Sequence, residues 1–216
     1  LSKLSPADKE TLDNYNKVKG MLEKLYKLQL QHAFRLGGAS GAVEVIKDDN
    51  VEDAFIPALV EELLTLDKER LDANPQYALA LSVLLLPDYA PGKEGRVRKG
   101  FVSGAANEAL KKSFESVLKR LYAMRISNLV ELGKIDEAIT FANKEMEWIG
   151  ANGNVTVVVN ARLPIASVLI EAADKIRSAD IEGALKLYRH AYSTILLTSY
   201  SDQWSMLRAS QTLVKL

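Results

Sequence analysis

Gly133-Lys134-Ile135-Asp136-Glu137-Ala138-Ile139 and, 46 residues later, Ala179-Asp180-Ile181-Glu182-Gly183-Ala184-Leu185 are two versions of one phrase. In each, a helix ends, one or two polar residues turn the chain, and a new helix opens with an acidic residue followed by a small-then-aliphatic pair. An acid in the first turn faces the positive end of the helix dipole, and a small residue lets two helix backbones approach. Repetition of such a unit is the syntax of stacked helical hairpins. The sequence predicts an all-α protein of antiparallel hairpins, about seven to nine helices, with irregular stacking or a helical bundle in its C-terminal half.

The rest of the chain has the same period. Ser5-Pro6 is a helix start, and Tyr15, Val18, Leu22 and Leu25 recur at alternating spacings of three and four. The row continues through Gln29 and His32 to Leu36, which predicts one helix of about 30 residues stopped by Gly37-Gly38. Polar residues in such a seam fix register or mark an interface. A loop is expected over residues 37 to 50, and Asp48, Asp49, Glu52 and Asp53 at and beyond its end read as helix-capping residues. Phe55, Leu59, Leu63 and Leu66 then define a second helix, and Asn74-Pro75 breaks the chain before a short apolar helix that ends at Leu86.

Pro87-Asp88-Tyr89-Ala90-Pro91-Gly92 is the clearest linker. It divides the chain into an N-terminal helical segment, 1–90, and a C-terminal hairpin domain, 91–216, unless the two form one continuous domain. Beyond it, Leu110, Phe114, Val117, Leu121 and Met124 predict a long helix from Phe101 to Leu132, with Gly100 and Gly104 permitting close approach of a neighbour. Val155-Thr156-Val157-Val158-Val159 alone has strand propensity. With no partner strand to pair, it should be extended or absorbed into the helix after Pro164. The final helices are placed at Pro164 to Ser178, Ile181 to Ser199 and Asp202 to Leu216.

Composition excludes more chemistry than it suggests. Lysine plus arginine and aspartate plus glutamate number 28 each, so no long-range field draws the chain to nucleic acid. No cysteine is present, which removes thiol catalysis, thiolate metal sites and disulfides together. The two histidines, His32 and His190, are too far apart in sequence for a helical metal pair. No apolar run approaches the roughly 20 residues that a spanning helix needs. The chain opens at Leu1 without a methionine, which fits a removed targeting peptide or simply a start cut elsewhere, and an intracellular or organelle interior is the expected location.

The catalytic signatures fail one by one. Gly92-Lys93-Glu94 and Gly133-Lys134-Ile135 lack the serine or threonine of a phosphate-binding loop, and Gly37-Gly38-Ala39-Ser40-Gly41 follows a helix rather than a strand. Ser40 and Ser103 lack the flanking glycines of a hydrolase elbow. The acids at 48–53 lack the alternation and central glycine of a calcium loop. Glu61-Glu62 and the pair Glu145 and Glu147 read as solvated faces. The chain is therefore expected not to be an enzyme and to need no metal or cofactor.

Asp180-Ile181-Glu182-Gly183-Ala184-Leu185-Lys186-Leu187-Tyr188-Arg189-His190-Ala191 resembles the second helix of a tetratricopeptide repeat, with Ala184, Tyr188 and Ala191 at the small, aromatic and small positions. The earlier phrase keeps Ala138 but has Ala142 and Glu145 at the other two places, and the spacing exceeds that family's repeat. The resemblance covers residues 115–200 and implies a protein-binding groove in place of an active site.

The expected function is a non-catalytic interaction module: an adaptor, assembly factor or accessory subunit whose partners are proteins. The alternative is a helical-bundle carrier for an apolar or aromatic small molecule, its cavity lined by Tyr188, Tyr192 and Tyr200. Trp148 and Trp204 are further interface or packing aromatics. The densest basic cluster, Lys93, Arg96, Arg98 and Lys99, stands among glycines before a helix and is the expected contact for an acidic patch on a partner.

Overall fold

The computed structural model describes residues 6–90, 95–104, 107–152 and 155–196. Among these residues the chain forms nine α-helices, one short 3-10 turn and no strand, so the fold is all-α. Contacts divide it into two compact units, Leu1–Asp67 and Lys68–Leu216.

The first unit is built on α1 (Pro6–Lys47), the 3-10 turn Asp53–Phe55 and α2 (Ile56–Leu66). The expected stop at Gly37-Gly38 is a break in the helix, and a second helical segment follows where a loop was expected. Gly38 adopts φ 62° and ψ −154°, a conformation reserved for glycine, and the helix resumes beyond it to Lys47. Resumption is explained by burial: Ala39, Ala42, Val43, Val45 and Ile46, expected to lie in a loop, pack into the core. Helix α1 packs on α2, and Phe55 of the turn and Leu59, Val60, Leu63 and Leu64 of α2 are buried as well, with Pro57 tolerated in the first turn of α2. Leu66 is instead largely exposed. Tyr26 donates its hydroxyl to the Asn50 carbonyl at 3.2 Å, and its ring centre lies 5.4 Å from that of Phe55 with the planes tilted by 48°. Gln31 binds Glu62 at 2.7 Å, which ties α1 to α2.

The second unit contains α3 (Lys68–Ala73), α4 (Pro75–Leu85), α5 (Arg96–Ser103), α6 (Glu108–Glu131), α7 (Ile135–Asn152), α8 (Val155–Ile176) and α9 (Ile181–Leu196). Asn74 caps α4 by accepting from the Tyr77 amide at 2.9 Å, with Pro75 following as the first helical residue. The division falls at Asp67, ahead of the expected boundary at residue 90, because α4 packs on α6 and so belongs to the second unit. The expected helix from Phe101 to Leu132 is two helices: Asn107 caps α6 by accepting from the Ala109 and Leu110 amides. Close approach at the glycines is realised, since a side-chain carbon on Gly100 would overlap the Phe114 ring.

The two repeated phrases open α7 and α9 but turn the chain differently. Gly133, at φ 72°, closes α6 with the Lys134 amide on the Leu129 carbonyl at 2.8 Å and its own on Val130 at 3.0 Å. At the second phrase, Asp180 caps α9 through the Gly183 amide at 2.8 Å. The backbone of residues 155–159, strand-like in propensity, belongs to α8 together with Pro164. In a helix these residues satisfy their backbone groups internally, which a lone strand does not.

Candidate functional site

Three arrangements could carry function. The first begins with the basic cluster, of which Lys93 lies outside the described residues. Helix α5 turns Val97, Arg98 and Phe101 inward and leaves Lys99 in solvent, with Arg96 half-buried. Arg98 and Glu145 are both 0% exposed. Arg98 Nε donates to Glu145 Oε2 at 3.1 Å, a second guanidinium nitrogen binds Oε1, and Nη1 donates to the Pro87 carbonyl at 2.7 Å. The Tyr122 hydroxyl donates to Glu145 Oε2 at 3.3 Å, and the Arg98 guanidinium lies 5.7 Å from the Trp148 ring centre.

Arg98 is thus no contact for an outside anion, and Glu145 is no solvated face. The physical reason is reciprocal: a buried guanidinium requires a carboxylate, and each residue supplies what the other needs. Burial pushes the Glu145 carboxyl above the usual range, against the opposing hydrogen bond and charge of Arg98. Burial and the Glu145 charge also push the Tyr122 hydroxyl up. A sequence signal existed. Glu145 falls on the stripe of Ala138, Ala142 and Ile149, and Arg98 falls between Val97 and Phe101, so each is a charged residue at a buried-face position.

The second arrangement is a cleft of about 250 Å³ among α4, α6, α7 and the coil after α4. Leu79, Val83, Leu129 and Phe141 supply its apolar lining. Asp88 bridges two cations there: Lys144 Nζ at 3.0 Å and the Arg125 guanidinium, which also donates to the Leu86 carbonyl at 2.9 Å and lies 4.2 Å over Phe141. Burial alone would raise the Asp88 carboxyl, but the Lys144 hydrogen bond and the Arg125 charge outweigh it and hold the group below the usual range. Sequence reading missed Arg125, Lys144 and Asp88, which meet only through helix packing.

The expected cavity aromatics lie elsewhere. Tyr188 is buried and its hydroxyl donates to Asp174; burial and that carboxylate push it up to about 12. Tyr192 is partly buried against Ala166 and Ile195. Trp148 is buried, its ring centre 6.1 Å from that of Phe101. Tyr200 and Trp204 lie outside the described residues. No three histidine, aspartate or glutamate side chains converge on a metal position among the described residues, and no described helix is long and apolar enough to cross a membrane.

The third arrangement is a surface. Leu12, Tyr15, Val18, Met21, Leu25, Leu28 and Leu36 of α1 are between 37% and 77% exposed. Tyr15, Val18, Leu25 and Leu36 belong to the row read from the sequence and face solvent, its Leu22 is half-buried, and the buried Leu30 and half-buried Lys19, Glu23, Tyr26 and Phe34 lie on other positions around the helix. Within this unit α2 has 11 residues and cannot cover a helix of 42. Comparison with protein-family models, with curated proteins and with solved structures gave no match.

Proposed function

We propose that this chain is a non-catalytic helical interaction module, serving as an adaptor, assembly factor or accessory subunit whose partners are proteins. The observation that carries the reading is the exposed apolar stripe of α1. Six large apolar side chains on one helix, from Tyr15 to Leu36, form a strip on the order of 32 Å long. Monomeric proteins rarely leave such a strip in water, and an amphipathic helix recognises its partner through residues at this spacing. The buried Arg98 and Glu145 network supports the same reading from the other side, because its charges are consumed internally and offer no reactive group to solvent.

The test is Val18→Asp with Leu25→Asp in the full chain, followed by mass spectrometry of what copurifies from the native source. Loss of specific protein partners, with the helical circular dichroism unchanged, supports the module. Retention of every partner by the double variant would remove the stripe from the account.

A second reading, small-molecule binding, is favoured by the cleft beside Asp88. Its apolar lining and the cations Arg125 and Lys144 suit a small organic acid that competes with Asp88. Native mass spectrometry with Arg125→Met as control separates the two readings.

A further inference from the structure

Arg98 and Arg125 each offer a carboxylate the same edge of the guanidinium, and only at Arg98 is that edge filled. There Nε and Nη2 each bind one oxygen of Glu145, the paired geometry in which a planar guanidinium holds a carboxylate best. At Arg125, Nη2 binds Oδ1 of Asp88, while the buried Nε has no acceptor among the described residues. The remaining nitrogen, Nη1, is committed to the Leu86 carbonyl. Arg125 is only 7% exposed, so a donor without an acceptor costs the fold stability that a second carboxylate oxygen would restore.

Asp88 leaves the edge half-filled because it serves two cations. Its Oδ2 accepts from Lys144 Nζ at 3.0 Å, which leaves Oδ1 alone for Arg125. The trio thus sets two positive charges against one negative. Glu137, the other acid on the cleft wall, has its charge paired with Lys134 at 3.1 Å. The backbone that carries Asp88 is held independently of its side chain, since the Leu86 carbonyl accepts from Arg125 at 2.9 Å and the Pro87 carbonyl from Arg98 at 2.7 Å. With that backbone in place, the half-exposed Asp88 side chain can turn out to water by rotation about its own bonds.

We propose that the cleft binds a small monocarboxylic acid with a compact apolar body, and that Asp88 is the built-in stand-in which this acid displaces. The guest carboxylate spans Nε and Nη2 of Arg125 as Glu145 spans those of Arg98, and the flexible Lys144 turns to it once Asp88 has left. The apolar body lies against Phe141, Val83 and Leu129. Volume sets its size: about 250 Å³ is below the roughly 300 Å³ at which sites for drug-sized ligands begin, which suits a single ring or a short chain. The inference rests on the small-molecule reading of this cleft and names its ligand class. It also gives Asp88 a role, because a self-ligand lowers affinity in proportion to the fraction of molecules whose site it fills.

Benzoate and its uncharged counterpart benzyl alcohol are titrated into the full chain by calorimetry at low salt, with circular dichroism of each variant as the check on folding. Saturable binding of benzoate, with benzyl alcohol bound more weakly, is the expected result. Asp88→Ala should tighten benzoate by about threefold to tenfold, as removal of a half-exposed competitor does. Lys144→Met should weaken it by about twofold to fivefold, the reach of a half-exposed ion pair. Arg125→Lys, which keeps the charge and loses the fork, should weaken it by at least about tenfold. Should Arg125→Lys fail to fold, Lys144→Met and Asp88→Ala still decide, because both residues are half-exposed. Benzoate affinity unchanged or lowered in Asp88→Ala overturns the proposal, and so does indifference to Lys144→Met. Equal binding of the two probes overturns it as well but leaves the cleft a small-molecule site. No binding of either probe, to the unmodified chain or to Asp88→Ala, removes the proposal and the small-molecule reading together.

Discussion

Gly183, near the start of α9, stands against Ile135, at the start of α7: a side-chain carbon on Gly183 would overlap Ile135 Cδ1 and the carboxyl of Asp180. The two repeated phrases therefore touch each other. Lys186 pairs with Asp136 at 3.5 Å across the same junction. The small residue after the acid is explained by this crossing, since two helix starts meet where only a hydrogen atom fits.

Gly183→Ala should destabilise the protein by about 1–3 kcal/mol, the usual consequence of forcing a methyl into a filled space. Ile135→Ala in the same chain should recover part of that loss. Urea denaturation of both single variants and the double variant gives the coupling, expected to be at least about 0.5 kcal/mol in favour of the pair. Strict additivity would place the strain at Asp180 instead.

Arg98→Met should cost about 3–5 kcal/mol, because it strands the buried Glu145 carboxyl. The combined Arg98→Met and Glu145→Leu variant should lose less than Arg98→Met alone, although Tyr122 and the Pro87 carbonyl then each lack a partner. Chemical denaturation measures both. A double variant worse than the single would mean that Glu145 stabilises the fold even without Arg98, through its bond from Tyr122.

Tyr188→Ala should cost roughly 3–5 kcal/mol, as truncation of a buried aromatic does. Tyr188→Phe, which removes the hydroxyl and its bonds with Asp174 and Arg177 but keeps the ring, should cost about 1 kcal/mol. Exposed residues of the 48–53 segment should cost no more than that on replacement. A silent Tyr188→Ala would contradict the buried position of the ring.

Two groups set the acid limb in separate windows. His190 is half-buried, its Nε2 has no hydrogen-bond partner among the described residues, and burial holds its pKa below 6.5. The unfolded chain then binds this proton more readily than the folded one, so stability falls as pH drops below about 6.5. His190→Asn should flatten that segment of a thermal-stability profile.

Asp88, held below 3.8, contributes stability above that value that is lost as pH falls through its lowered folded pKa. Asp88→Asn should reduce stability at neutral pH and shrink the loss below that value while leaving the His190 window intact. Its half-exposed position keeps the effect modest. A profile in which both substitutions act in one window would mean that the two groups are coupled.

Local signals were legible wherever a few neighbouring residues decide the outcome. Asn74-Pro75 caps and opens a helix, the two phrases open α7 and α9, and Gly100 admits Phe114. What escaped depends on residues far apart. Arg98 meets Glu145 across 47 positions and Arg125 meets Asp88 across 37. No periodicity along one segment encodes such a pairing; it can only flag a charge on a buried face. Gly38 breaks the helix as the glycine pair signalled, and what escaped is the helical continuation beyond it, which burial of Val43 and Ile46 stabilises.

That continuation turns a break into a lever. The portion of α1 ahead of Gly38 is on the order of 48 Å long, and its bearing relative to the packed segment that follows is fixed by torsions that other residues resist. A change of about 30° at this one position would sweep the far tip through roughly 25 Å, by simple geometry on a helix of that length. The aim of the arm is thus set by one achiral residue together with the Tyr26 and Gln31 contacts that hold it to the turn and α2. Replacement there would redirect the reach of the molecule while leaving the chemistry of its surface untouched.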